Sequence, residues 1–422
     1  MKRLHLLFGL CSALLLFACG SDDSEPSDDM MDIDSQSPTA PLNLVIDNVT
    51  ETSVDLSWDA ATDNVAVTGY EVFRDDVSLQ SVTGTTLSVT GLSPCNDYNF
   101  YVVAKDAEDN VSEASDTAMG STLIGELQFR DKLSEMCIFQ GDYSEIDPRE
   151  GVQLYELNST LFTDYAKKQR LVRLPKGEKM TYNGSDLLPN FPDNTLVAKT
   201  FYYNLDDRDP SLGQQIIETR VFIKLNGVWE VGDYIWNSDM TDAIYSEAGM
   251  ELPISFIDNT GTTNNVNYEI PSKQDCFTCH NNNDETFPIG MKLRNMNFVP
   301  SYTSMNQLDY LTSNNFLDGV NSGSTSQLPD WTDDALSLEE RARGYMDINC
   351  AHCHSPGGSV PDFYMLDLRL EVPYADSGIE DSRLGIKARF ESVVPFFRMP
   401  QLGRTVRHDE AIIVLNEYLD SL

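Results

Sequence analysis

Positive charge is what this 422-residue chain lacks most. It has 29 Lys and Arg against 67 Asp and Glu, a formal net charge of −38. A phosphate backbone would be repelled, so nucleic acid is excluded as a partner class. Such a surface either suits a partner with a basic face or is a solvated acidic exterior. Histidine is scarce at five residues, and cysteine at eight. Long apolar runs are missing too. The one run of note, Leu4 to Phe17, falls short of the ~18 residues a membrane span needs. No other segment is apolar enough to cross a bilayer. The chain shows no phosphate-binding loop, zinc signature or nucleophile elbow.

What is present begins with a targeting pattern. Met1-Lys2-Arg3 is a basic start, Leu4 to Phe17 a short apolar core, and Leu16-Phe17-Ala18-Cys19 follows. This resembles the lipobox of bacterial lipoproteins. The resemblance implies a signal peptide over 1–18, lipidation of Cys19 and a membrane link through that lipid anchor. It places the chain on the outer membrane or cell surface. Residues 19–38 are acidic, with Ser and Pro, and read as a disordered tether.

Residues 39–122 read as an all-β module. Short alternating runs such as Ser53-Val54-Asp55-Leu56-Ser57-Trp58 and Gly69-Tyr70-Glu71-Val72-Phe73-Arg74 recur between turn signals. Trp58, Leu92-Ser93-Pro94 and Tyr98 make the segment similar to a fibronectin type III domain. That implies a β-sandwich serving as a spacer or binding module. Residues 123–270 form a second β-rich domain, in which aromatic and β-branched residues alternate with polar ones. Residues 271–422 read as helical. Ser337-Leu338-Glu339-Glu340 is a helix start, and Asp409 to Leu422 an amphipathic helix.

Two pentapeptides carry chemistry: Cys276-Phe277-Thr278-Cys279-His280 and Cys350-Ala351-His352-Cys353-His354. Cys-x-x-Cys-His is the attachment signal of c-type haem, and roughly 0.002 chance matches are expected at these residue frequencies. Cys276, Cys279, Cys350 and Cys353 are then thioether anchors, with His280 and His354 as proximal iron ligands. The expected cofactors are two c-type haems. Five His are too few for two per iron, because His5 lies in the signal, His352 inside a motif, and His408 beside Asp409 reads as a surface residue. Methionine follows as the sixth ligand. Met399, before Pro400 and the last helix, is the candidate at the second motif. Met291, Met296 and Met305 are the candidates at the first, with Met291 named as its distal ligand and a more distant ligand or an open iron as alternatives. Cys95 and Cys137 remain as a candidate disulfide or as two separately buried thiols.

Phrases such as Tyr155-Glu156-Leu157-Asn158-Ser159-Thr160, Arg173-Leu174-Pro175-Lys176-Gly177 and the Gly290 to Asn297 stretch resemble a family of bacterial dihaem cytochromes. The resemblance implies a multidomain chain. A fibronectin-like sandwich and a β-rich domain would precede a mainly α, cytochrome c-like haem region. The expected function is extracytoplasmic electron transfer with a redox partner protein. The alternatives are a dihaem peroxidase, or the electron-accepting partner of a separate dehydrogenase.

Overall fold

The computed structural model describes residues 34–422. The signal segment, Cys19 and the tether up to residue 33 lie outside them. The described chain is multidomain and β-rich, and it divides into two compact units. The smaller holds the stretch ending at Asp47 together with Asp55–Ser88 and Tyr98–Gly120; the larger holds Asn48–Val54, Val89–Asp97 and Ser121–Leu422.

The fibronectin-like sandwich has seven strands. These are β1 (Leu42–Asp47), β2 (Ser53–Asp59), β3 (Gly69–Arg74), β4 (Val77–Val82), β5 (Thr86–Thr90), β6 (Asp97–Lys105) and β7 (Ala118–Ser121). They make sheets in the orders β1-β2-β5 and β4-β3-β6-β7. Period-two alternation sets the inner face. In β2, Val54, Leu56 and Trp58 are buried while their neighbours are not. Trp58 meets Tyr70 edge-on at 5.5 Å.

A six-stranded antiparallel sheet organises the larger unit, in the order β14-β13-β12-β11-β9-β8. Its members are β8 (Val152–Leu154), β9 (Lys167–Arg173), β11 (Leu196–Asn204), β12 (Gln214–Leu225), β13 (Val228–Trp236) and β14 (Ala243–Ser246). Short β10 (Met180–Thr181) pairs with β19 (Leu317–Asp318), while β15 (Met250–Ile257) and β16 (Thr263–Ile270) form a hairpin. One face of the sheet packs Leu171, Leu196, Ala198, Val221 and Tyr234 against Leu133, Ile138 and Phe139. The other face carries Val172, Val197, Phe222 and Val231, in one core with Cys276, Met291, Leu293, Met296 and Leu308. The stretches 123–270 and 271–422 therefore share a core. The boundary expected at residue 270 marks a change of element type within one unit.

Six helices follow: α1 (Lys273–Cys279), α2 (Leu293–Met296), α3 (Gln307–Ser313), α4 (Leu338–Asn349), α5 (Ile379–Glu391) and α6 (Asp409–Asp420). Between α1 and α2 lies a two-by-two hairpin, β17 (Asn281–Asn282) and β18 (Glu285–Thr286). Ala342, Tyr345 and Met346 of α4 pack with Ala411, Val414, Leu415 and Tyr418 of α6, and Ile379 and Phe390 of α5 complete that core. The 271–422 region is thus not simply helical, because long irregular segments separate these helices. Among the described residues no helix is long and apolar enough to cross a membrane.

Candidate functional site

Each pentapeptide begins on a capped helix. Ser272 and Asp275 form a reciprocal capping box that starts α1; Ser337 and Glu340 do the same for α4. The end of α1 carries Cys276 and Cys279, and the turn just after α4 carries Cys350 and Cys353. His280 N donates to Cys276 O at 2.9 Å, and His354 N to Cys350 O at 2.9 Å. In both segments the histidine backbone closes a turn on the first cysteine.

The second segment opens on a cleft of about 580 Å³. Cys350, Cys353 and His354 line it from the end of α4, Met399 from the α5–α6 loop, and Cys279 from the first segment. Leu368, Ile386 and Phe390 supply apolar wall. Met399 is fixed by its N–H, which donates to Arg389 O at 3.0 Å. Arg404, fully buried, holds the same loop by donating to Phe390 O at 2.8 Å and to Ser392 O. At the rim Phe396 is 90% exposed and has φ +65°, a left-handed conformation costly for a bulky residue.

His280 sits differently. Its ring is buried against Phe222 at 4.6 Å between centroids, and Nδ1 pairs with Phe287 O at 2.9 Å. Beside it lies a cavity of about 10 Å³, lined also by Lys199, Arg220, Tyr155 and Pro288. Met291 lines neither that cavity nor the cleft; it is fully buried in the apolar core. The structure therefore corrects Met291 to a packing residue. Met296 is buried in the same core, and Met305 is exposed.

The thiols differ in the same way. Burial pushes Cys276 up to about 11 and Cys350 up to about 12. Cys279 and Cys353 meet across the two segments. Their sulfurs and a His352 ring nitrogen lie within 4.8 Å of one another, which holds the Cys353 thiol low and the Cys279 thiol high. Burial lowers both His280 and His354, so each imidazole is neutral and can donate a lone pair to a metal.

The two segments are tied together. The β17–β18 tip meets the loop after the second motif, where Asn283 N donates to Gly357 O at 2.8 Å and Asn282 Nδ2 to Pro356 O at 3.0 Å. Gly357 has φ +77°, and a Cβ there would lie 2.5 Å from the Asn283 side chain. Lys292 and Arg294 reach Asp347 on α4 at 2.8 and 2.6 Å, and the Asp347 side chain has no exposure. Asn295 Oδ1 accepts from Ser159 N at 2.9 Å, and Asn297 Nδ2 donates to Thr325 O at 2.8 Å. The Gly290 to Asn297 stretch is thus a structural brace.

His408 is not a surface residue. It is 8% exposed, stacked on Phe162 at 4.0 Å and bonded to Tyr345 Oη at 2.9 Å; burial pushes it down to about 3. Cys95 and Cys137 are bonded, with Cα atoms 5.6 Å apart. A feature that sequence reasoning missed is a row of charges on the sheet. Arg170, Lys199, Arg220 and Asp233 lie directly opposite one another on β9, β11, β12 and β13. Burial and its cationic neighbours push Lys199 down to about 7.

Residues 39–118 match the fibronectin type III domain family. Chitinase A1 of Niallia circulans is 48% identical over 89 residues, covering 21% of this chain and 13% of that protein. Exoglucanase A of Cellulomonas fimi is 49% identical over 92 residues, 22% of this chain and 11% of its own. Among solved structures, chitinase ChiA74 from Bacillus thuringiensis covers 40% of this chain and 18% of its own at 19% identity, with a TM-score of 0.20. The chain spans 13% and 11% of the two curated relatives, over a length that the one module accounts for.

These matches correct the functional expectation. The relatives matched over this module are chitinases and an exoglucanase, and none supports a dihaem cytochrome family. The two c-type haems, the electron-carrier function and its peroxidase and dehydrogenase-partner alternatives are set aside on that ground. So is a cytochrome c-like assignment of the helical region. An extracytoplasmic location agrees with these relatives and with the Cys95–Cys137 bond.

Proposed function

We propose that the larger unit holds a transition-metal ion in the cleft of the second pentapeptide. His354 and Met399 are metal donors, with the Cys350 and Cys353 thiols beside them. Cys276, Cys279 and His280 form a companion site. One observation carries the reading: α4, the turn after it and the α5–α6 loop bring imidazole, thiols and thioether to one cleft of about 580 Å³. Imidazole with soft sulfur donors suits transition metals rather than Mg²⁺ or Ca²⁺. The fibronectin-like module serves as a spacer, a lipid on Cys19 as the membrane link, and the acidic surface draws a partner with a basic face. Metal analysis of full-length protein recovered from an extracytoplasmic compartment tests the reading. A stoichiometric metal, reduced in Cys350→Ser/Cys353→Ser, is expected. Metal-free protein would overturn it.

The relatives favour a second reading, carbohydrate degradation outside the cytoplasm. The observation behind it is the likeness of the fibronectin-like module to those of chitinases and an exoglucanase. Release of soluble sugar from chitin or cellulose by the purified chain would establish it; no release from either would remove it.

A further inference from the structure

The cleft of the second pentapeptide has two walls. The end of α4 and the turn after it carry Cys350, Cys353 and His354; the α5–α6 loop carries Met399. A short strap just before β9 grips both. Phe162 N donates to Asn349 Oδ1 at 2.7 Å, on the residue before Cys350. Two residues on, the Asp164 carboxylate takes hold of the loop. It accepts from Thr405 N at 2.7 Å, Thr405 Oγ1 at 2.8 Å and Val406 N at 3.0 Å. Residues two apart in the chain stand at most about 7 Å from each other, so the two grips fix one wall against the other. The strap is itself held. Tyr203 Oη on β11 donates to Asp164 O at 2.7 Å, and β9 runs on from Lys167 between β11 and β8. Asp164 is 1% exposed and has φ +46°, a backbone conformation that Asp tolerates better than most residues.

Other bonds of the loop act differently. Met399 N to Arg389 O and Arg404 to Phe390 O tie the loop to the helix before it. Arg398 reaches Glu269 on β16 at 2.5 Å, an anchor on the hairpin. Asp164 stands on a segment that also grips α4, and so it couples the loop to the wall opposite.

We propose that Asp164 is a positioning residue for Met399, setting how far the thioether stands from the imidazole and thiols across the cleft. The consequence for metal binding rests on the reading of the cleft as a metal site; the geometry does not.

Two measurements on the full chain separate these. The first, on metal-free protein, is hydrogen exchange of the Met399 amide, six residues from the nearest bond to Asp164. Asp164→Asn leaves a buried donor facing an amide group, and Met399 should exchange about tenfold faster while the slowest amides of the sheet exchange as before. Thr405→Val, which removes one hydroxyl donor, should act in the same direction more weakly and serves if Asp164→Asn does not fold. The second is visible absorption with Co²⁺ as the probe, which reports the donors that reach the ion. Asp164→Asn should give the spectrum of Met399→Ala. Leu133→Ala, truncated in a separate core, should keep the spectrum of the unsubstituted chain. Unchanged Met399 exchange in both variants overturns the proposal. So does acceleration shared by every amide of the unit, or an unaltered Co²⁺ spectrum in Asp164→Asn. If the unsubstituted chain binds no Co²⁺, the metal reading fails and Met399 exchange alone decides whether Asp164 positions the loop.

Discussion

The two Cys-x-x-Cys-His segments share a pattern and a helix-capping device, yet they occupy unlike ground. The first is folded into the sheet's own core. Cys276 is buried among Val172, Phe222 and Met291, and His280 has space for little more than one atom beside it. The second stands at the edge of the α4–α6 core and opens on a large cleft with a methionine in its wall. The difference teaches that a pentapeptide delivers its thiols and imidazole to the end of a helix, while the packing around it decides how much room they have.

Methionine truncation should separate the two sites most sharply. Met291→Ala removes a fully buried side chain and should cost about 3 kcal/mol. Met399→Ala, half-buried at the cleft, should cost less than about 1 kcal/mol while lowering metal retention. Urea midpoints with metal analysis check both, and equal stability losses would break the contrast. Next is Arg404→Ala. It leaves two buried carbonyls without their donor and should cost about 2 to 3 kcal/mol, with Met399 becoming accessible to oxidation by peroxide. A loss under about 1 kcal/mol would show that the loop is held by other contacts.

A smaller effect is expected from pH. His408 is held near 3 when folded against about 6.5 when unfolded. Its folded value is depressed, so the unfolded chain binds the proton first. Stability is complete above about pH 6.5 and falls as pH drops toward 3. Between pH 7 and 5 this group should account for about 2 kcal/mol. His408→Gln should flatten that part of the stability profile, and an unchanged slope would assign it to other groups. The smallest effect concerns the caps. Ser272→Ala and Ser337→Ala should each cost about 1 kcal/mol. Unequal losses would mean that one helix is held mainly by its surroundings.

Legibility followed the range of the forces involved. The sandwich strands were readable because alternation is local, and Ser337 announced α4 within four residues. The grouping of Cys350, Cys353, His354 and Met399 was also legible from motif and loop position. Met291 was not, because the stretch around it looks like a loop near a ligand, and only the fold shows that its neighbours are core. His408 sits between charged residues, which hid the Phe162 stack 246 residues away in sequence. The row at Lys199 was hidden by the same alternation that revealed the strands. Lys between Ala198 and Thr200 reads as solvent-facing, but both faces of this sheet are covered. Function was the least legible, since the relatives share only a spacer-sized module with this chain.

The hydrogen bonds from Asn282 and Asn283 to Pro356 and Gly357 make the two loops a single hinge-free clasp. Neither loop can change length alone without misaligning the other. A residue inserted at the β17–β18 tip would be felt 74 positions along the chain, at the cleft mouth. Descendants of this gene should therefore gain and lose residues in the two loops together, or in neither, and grafting one pentapeptide into another scaffold should require carrying its counterpart along.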